Sequence, residues 1–342
     1  MGLEKLGTGV TDVRRRLALT SLLFGGAAVL VCLVAPLVGP TPISIRRVFD
    51  GAIPFADNVD AQIFFIARLP RVIAGALVGS ALATAGVVFQ ALLRNPLATP
   101  FTLGVSAGAS LGAMLVITFG APVSLGGIPV VPFASFTGSV GAVAIVYALA
   151  TLRRRGLSTN VLLLAGVTLN SLFSAIIMFV QYANPAQTFQ TFRWLMGNLD
   201  VSSYRPIVAA LPLMLVAFTA FAWLPRSLNL LTMGPEAAAS RGVNVLTTQR
   251  LAFLSASLAT GAAVSLAGPI GFIGIVIPHL VRLLVGSDHR IVLPASACFG
   301  AAFLVVCDVG ARTLMSPLEL PVGVITALVG GPFFLWLLIR SR

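Results

Sequence analysis

The sequence predicts an all-α polytopic membrane protein, and three observations carry that prediction. Of its 342 residues, 58% are hydrophobic and only 9% charged, far below the roughly 25% charged content of a soluble domain. Mean hydropathy is +1.01. Apolar runs of the length that crosses a hydrocarbon core, about 20 residues, recur along the whole chain.

Ten spans follow in order, near residues 17–38, 64–90, 101–118, 134–151, 160–183, 206–224, 250–267, 270–284, 291–310 and 321–339. Gly and Pro interrupt the fourth, seventh and eighth or leave them marginal in length. The first span follows Arg14, Arg15 and Arg16 as a secretory signal would, but its apolar run exceeds the 7–15 residues of a signal core. No small-residue cleavage site closes it, and Cys32 follows Val31 rather than Gly, Ala or Ser, so a retained helix is expected.

Ten spans put both termini on one side, and the Lys/Arg bias of the loops selects the cytoplasm. With that choice only Arg46, Arg47, Arg68, Arg71, Arg193, Arg205 and Arg312 fall outside, leaving 15 of the 22 cations inside. The run Arg153-Arg154-Arg155 pins the fourth-to-fifth connection to the cytoplasmic side. A multi-pass protein of the inner, or plasma, membrane is the resulting expectation. The net charge of +12 is dispersed among loops, so anionic lipid headgroups, not nucleic acid, are its expected partners. Cys32, Cys298 and Cys307 lie inside apolar spans and read as small buried hydrophobes.

Several function classes are unsupported. The chain has no GxxxxGK[ST] phosphate loop and so no ATPase site of its own. It has no HExxH, and His279 and His289 stand without an acidic residue placed to complete a zinc site. No catalytic residue, metal site or cofactor is therefore expected. Ion-driven carriers place ionisable groups at mid-membrane, at about 2.5–3.5 kcal/mol each on insertion scales. Here Asp308 alone approaches that depth, near a helix end. A transporter driven from outside the chain fits this scarcity. Two alternatives are a stand-alone secondary carrier coupled through Asp308 and a non-transporting scaffold.

One polar island, LTMGPEAAASRGVN at 231–244, interrupts the apolar pattern. Gly234 breaks the preceding element, Pro235 suits a first helical position, and Glu236 lies where the helix dipole favours an anion. Ala237 to Ala239 extend a short helix, and Arg241-Gly242 supplies a cation and a C-cap glycine. Composition leaves open whether this is a contact surface or a simple connection.

Three further stretches carry a resemblance. ARLPR at 67–71 leads to QALLRNPLATPFTLGVSAGAS at 90–110; GPIGFIGIVIPHLVRLLVGSDHR occupies 268–290; DVGARTLMSPLELPVGVITALVGGPFF occupies 308–334. In this order they resemble the permease family of ABC importers for ferric siderophores, haem and vitamin B12, over nearly the whole chain. The resemblance implies ten transmembrane helices, two permeases around a central path (two copies of this chain or this chain and a related one), two cytoplasmic ATPases, and a periplasmic binding protein delivering a metal chelate. It ranks ferric siderophore or haem first as cargo and cobalamin second. It also makes the helix of Gly234, Pro235, Glu236, Ala237, Arg241 and Gly242 the segment seated against the ATPase.

Arg68 and Arg71 flank Leu69-Pro70 at the outer start of the second span. They read either as snorkelling anchors or, by the resemblance, together with Arg312 as cations that bridge to acidic groups of the docked binding protein. On the second reading, charge reversal at Arg68 and Arg71 abolishes stimulation by that protein and leaves assembly intact. Asp308 stands four residues before Arg312, the favourable acid-first spacing, with Glu319 near enough in sequence to join them. In the fifth span Asn170, Ser174, Met178 and Gln181 share one face. That face meets another helix or a wet path, and the resemblance selects the path. The segment 184–205 is expected outside, as a short helix narrowing the mouth, with Arg193 and Trp194 at the interface. Gly104, Gly108 and Gly112 predict close helix packing, and Asn95-Pro96 with Pro100 predicts a cytoplasmic turn. A Pro followed by a Gly-rich span occurs at both 97–109 and 266–279.

Overall fold

A computed structural model describes residues 4–120, 124–125, 128–152, 159–201 and 203–340, with the side chains of residues 4–14, 125, 128, 337, 338 and 340 outside the description. The Arg153-Arg154-Arg155 run lies outside the described residues. Fifteen α-helices succeed one another in them: α1 (Glu4–Val34), α2 (Ile45–Val48), α3 (Val59–Gln62), α4 (Leu69–Leu93), α5 (Val105–Thr118), α6 (Val130–Thr151), α7 (Thr159–Ala183), α8 (Thr188–Leu195), α9 (Arg205–Trp223), α10 (Pro225–Leu231), α11 (Pro235–Ala239), α12 (Val245–Ala267), α13 (Ile273–Val285), α14 (His289–Thr313) and α15 (Val322–Arg340). One two-stranded antiparallel turn, Ser124–Leu125 with Ile128–Pro129, precedes α6. The expected all-α polytopic architecture is present.

Seven of these helical stretches are long and apolar enough to cross a membrane, and Val105–Thr118, Ile273–Val285 and Val322–Trp336 are shorter apolar helices. Together they occupy the ten predicted positions. The fourth and seventh spans form full helices of 22 and 23 residues. Asn244 starts the seventh by accepting the Thr247 amide at 3.1 Å, the N-cap arrangement that satisfies an orphan donor.

The third and eighth spans are broken for a physical reason. At 1.5 Å per residue, α5 and α13, with 14 and 13 residues, reach only about 20 Å of a core roughly 30 Å thick. Each is preceded by chain that is not α-helical and is largely held inside the protein: Ala98–Thr99 and a 3-10 turn at Pro100–Leu103 before α5, and Gly268–Ile270 before α13, with Phe101, Thr102 and Pro269 less enclosed than their neighbours. Irregular backbone is tolerated at membrane depth only when buried in protein or lining a cavity. Thr99 and Thr102 close a reciprocal capping box over the first break. Both helices then start on a residue of positive φ, Gly104 at 81° and Phe272 at 68°, so the sequence echo between these regions has a shared backbone form.

The helices α4, α12 and α14 form the buried centre, and α1 lies against it on the outside. Small residues allow this. A Cβ added to Gly79 of α4 would land on the Gly300 carbonyl of α14, and one on Gly86 would land on the Gly274 carbonyl of α13. Gly108 and Gly112 pack against Gly138 and Ala134 of α6, as their spacing predicts, whereas Gly104 is the positive-φ junction.

The chain path defines two ends. At one, Arg16 donates to the Val285 carbonyl at 3.4 Å and Arg282 reaches Gln90, so the first turns of the apolar part of α1, the end of α4 and the end of α13 meet. The α10–α11 segment is held at the same end by contacts with the start of α14. At the other end the start of α4 meets the ends of α1 and α14. α15 starts beside Gly197 at that second end, and Gly330 passes Phe272, so α1 begins and α15 finishes at the α11 end.

Candidate functional site

A groove of about 440 Å³ opens along α7. Asn170, Ser174, Met178 and Gln181 all line it, joined by Phe101, Ser106, Ala107 and Ser110 from the broken third span and by Phe192 and Leu195 of α8. Among these described lining residues none is charged. The four-residue stripe therefore does converge on one surface. Its members differ in what they do there. Asn170 donates its amide to the Phe101 carbonyl at 2.7 Å, which also accepts the Gly104 backbone amide at 3.3 Å. Gln181 has a buried side-chain nitrogen with no partner. Met178 is 70% exposed and supplies a soft, adaptable surface.

Helix α8 sits over this groove as expected, but through Phe192 and Leu195. Arg193 and Trp194 face the other way, beside Gln190, Asn198 and Asp200, and Arg193 pairs loosely with exposed Asp200 at 3.6 Å. Ser106 and Ser110 were legible in principle, since four-residue spacing puts both hydroxyls on one helix face. The facing aromatics Phe101 and Phe192 come from non-local packing and carry no such signal.

At the second end an ion cluster joins three elements. Arg71 Nε lies 2.8 Å from Asp308 Oδ1 and Arg71 Nη1 lies 2.7 Å from Glu319 Oε2. Arg312 Nε is 3.1 Å from Asp308 Oδ2, an ion pair too poorly aligned for a hydrogen bond, and Arg312 Nη2 donates to the Ala35 carbonyl at 3.4 Å. Arg68 donates to the carbonyls of Pro36 at 3.1 Å, Leu37 at 3.3 Å and Thr41. Asp308 thus holds Arg312 as the spacing predicts, and Glu319 joins the cluster.

This geometry corrects the picture of three accessible docking cations. Arg68, Arg71 and Arg312 are only 4%, 5% and 3% exposed, and each has donors bonded to internal acceptors, while Arg71 Nη2 and Arg312 Nε have no hydrogen-bond partner among the described residues. Charge reversal at Arg68 and Arg71 is therefore expected to disturb assembly as well as docking. A carboxylate at position 71 would face Asp308 and Glu319, and an unpaired buried charge is strongly destabilising. Asp308 is buried between two arginines, a placement that suits a structural role better than ion coupling. Exposed cations at this end include Arg46 and Arg47 of α2, Arg193 of α8 and Arg205 of α9.

At the α11 end the polar island has the predicted form. Gly242 takes φ 83°; its amide donates to the Ala239 carbonyl at 3.0 Å and the Val243 amide to Ala238 at 3.1 Å. That pair is the glycine-terminated helix stop anticipated from Arg241-Gly242. Ala238 is buried, while Pro235, Glu236, Ala239, Arg241 and Gly242 are exposed. The turn at Asn95-Pro96 is also present: Arg94 adopts φ 49° and the Asn95 amide reaches back to the Gln90 carbonyl at 3.1 Å.

One polar junction at this end had no sequence signal. Asn229 of α10 donates to Asp288 Oδ1 at 2.7 Å, accepts the His289 amide at 2.9 Å, and lies 2.6 Å from His289 Nδ1. Arg290 grips the Asp288 carboxylate through Nε and Nη2 at 2.7–3.1 Å. Burial alone would raise the Asp288 pKa, but the hydrogen bonds from Arg290 and Asn229 outweigh it and hold the group at about 2. A depressed folded value contributes stability above the ordinary 3.8 that is lost as pH falls towards 2. Asp288 is therefore an anion at every physiological pH.

An all-α membrane fold with broken spans, an uncharged groove and a capped polar helix at one end is the form of a transport permease. The chain belongs to the FecCD transport family, whose profile matches residues 17–340. It is 38% identical over 335 residues to the hemin transport system permease HmuU of Yersinia pestis, covering 96% of this chain and 97% of that protein. The cobalamin import system permease BtuC of Halobacterium salinarum is 45% identical over 275 residues, 80% of this chain and 72% of that one. Among solved structures, a metal-chelate type ABC transporter in an inward-facing conformation superimposes with a TM-score of 0.80 at 29% identity, covering 95% of this chain and 99% of its own.

Proposed function

We propose that this chain is the membrane permease of an importer that moves a metal chelate inward, powered by ATP hydrolysed on separate subunits. The observation that carries the reading is the uncharged groove along α7. It offers hydroxyls, amides, a thioether and aromatic rings, a surface suited to a chelate whose metal charge is cancelled by its own ligand. The cargo classes named for relatives, hemin and cobalamin among them, are of this kind. A second permease copy facing the open side of the groove would complete the path.

In this reading the α11 end is cytoplasmic, in keeping with the arginines there, Arg16, Arg94, Arg226, Arg241, Arg250, Arg282 and Arg290. The protein is a multi-pass component of the inner membrane with both termini inside. The exposed face of α11, with Glu236 and Arg241, meets the ATPase. The binding protein docks over the opposite end, where Arg68, Arg71 and Arg312 fix the floor of the docking surface from beneath.

Single cysteines at positions 170, 174, 178 and 181 test the groove. In the assembled transporter they are expected to react with a water-soluble thiol reagent, and haemin, cyanocobalamin or a ferric hydroxamate is expected to slow that reaction. Uniform protection at all four positions without ligand would show a dry helix contact and exclude the path.

A further inference from the structure

Helix α14 is fastened at both ends to elements that the proposed function uses. It has 25 residues, about 37 Å at 1.5 Å per residue. Near its last turn Asp308 and Arg312 enter the ion cluster with Arg71. At its first residue the Asp288–His289 junction receives Asn229 of α10, four residues from the connection Met233-Gly234 that leads to α11. Asn229 is held by both faces of its amide: the nitrogen donates to a carboxylate, and the oxygen accepts a backbone amide while facing an imidazole nitrogen. A side chain with both its amide nitrogen and its amide oxygen bonded to the start of one neighbouring helix is restrained from swinging independently of it. Between the two ends, Gly79 and Gly300 bring α4 and α14 into backbone contact, which stiffens the rod along its length.

We propose that Asn229 is the positioning residue that makes α11 move with α14, so that the outer ion cluster and the ATPase-facing helix are two ends of one rigid body. Displacement at the Arg71 end then arrives at α11 undiminished, because packed helices shift as units and do not deform continuously. This rests on the reading of α11 as the ATPase contact.

The test uses the whole chain with Cys32, Cys298 and Cys307 replaced by alanine and spin labels at cysteines introduced for Arg241 and Leu314. Pulsed electron–electron resonance between them is expected to give one narrow distance. Asn229→Leu, similar in size but without hydrogen bonds, is expected to give a broad or split distribution at unchanged helicity. Asp288→Asn keeps an acceptor for Asn229 and is expected to retain the narrow distance. A narrow, unshifted distance in Asn229→Leu would overturn the proposal, as would broadening in Asp288→Asn to the same degree.

In the complex isolated with its ATPase and binding protein, Asn229→Leu is expected to lower the ratio of stimulated to basal hydrolysis by at least about five-fold, the low end of ordinary site-to-site coupling. An unchanged ratio would overturn the proposal. Absence of stimulation in the wild-type complex would instead strike the functional reading on which it rests.

Discussion

Replacing Asp308 by alanine is expected to be among the most damaging single changes in this chain. Its carboxylate is 1% exposed and is the shared counter-ion of Arg71 at 2.8 Å and Arg312 at 3.1 Å. Without it Arg71 keeps Glu319, whereas Arg312 keeps only a long contact to the Ala35 carbonyl. Removing one partner of a buried pair costs about 3–5 kcal/mol, mostly because the other charge is left uncompensated. Thermal unfolding of the detergent-purified protein measures the loss. The double variant Asp308→Ala with Arg312→Ala removes the stranded cation and is expected to recover much of the stability. A double variant no more stable than the single one would contradict the charge-balance account.

Gly79→Leu is expected to prevent accumulation of folded protein. The first added carbon already meets the Gly300 backbone carbonyl and the Leu304 side chain, so neither a rotamer change nor a small side-chain shift relieves it. Overpacking a core ordinarily costs about 1–3 kcal/mol; here the obstacle is main chain between two central helices, and α4 and α14 must separate. Gly26→Leu on α1, where nothing lies within 4 Å of the added carbon, is the matched control and is expected to accumulate normally in membranes. Equal accumulation of the two variants would show that the α4–α14 contact tolerates separation.

Much of the architecture was legible because its signals are local. The ten apolar runs, the Gly234-Pro235 start, the Gly242 stop and the four-residue stripe on α7 each depend on composition or spacing within a few turns, and each has its counterpart in the helices observed. Of the three spans that Gly and Pro marked as weak, only the eighth is broken; the fourth and seventh are full helices, and the short third span was not among those marked, because where it resumes depends on capping by Thr99 and on positive φ at Gly104.

Long-range placement was not legible. Arg68, Arg71 and Arg312 look like surface cations in sequence because arginine is rarely buried unless paired. Their acceptors are carbonyls and carboxylates at sequence separations of 27 to 277, together with the nearby Asp308 that the spacing did predict. Asn229 reads as an ordinary loop asparagine, and its role exists only through a helix 59 residues away. The groove is similar: Gln181 and Met178 announced a face, but which aromatics close it is decided by how α8 folds back.

Transport through this chain is proposed to be driven by ATP and to serve a shielded metal chelate. The most direct measurement is uptake of haemin, cyanocobalamin and a ferric hydroxamate into proteoliposomes bearing the complex isolated through this chain, with ATP on the side that α11 faces. The account predicts accumulation of one of these chelates that requires ATP and persists in the presence of a protonophore. Accumulation that proceeds without ATP and collapses with the protonophore would contradict it.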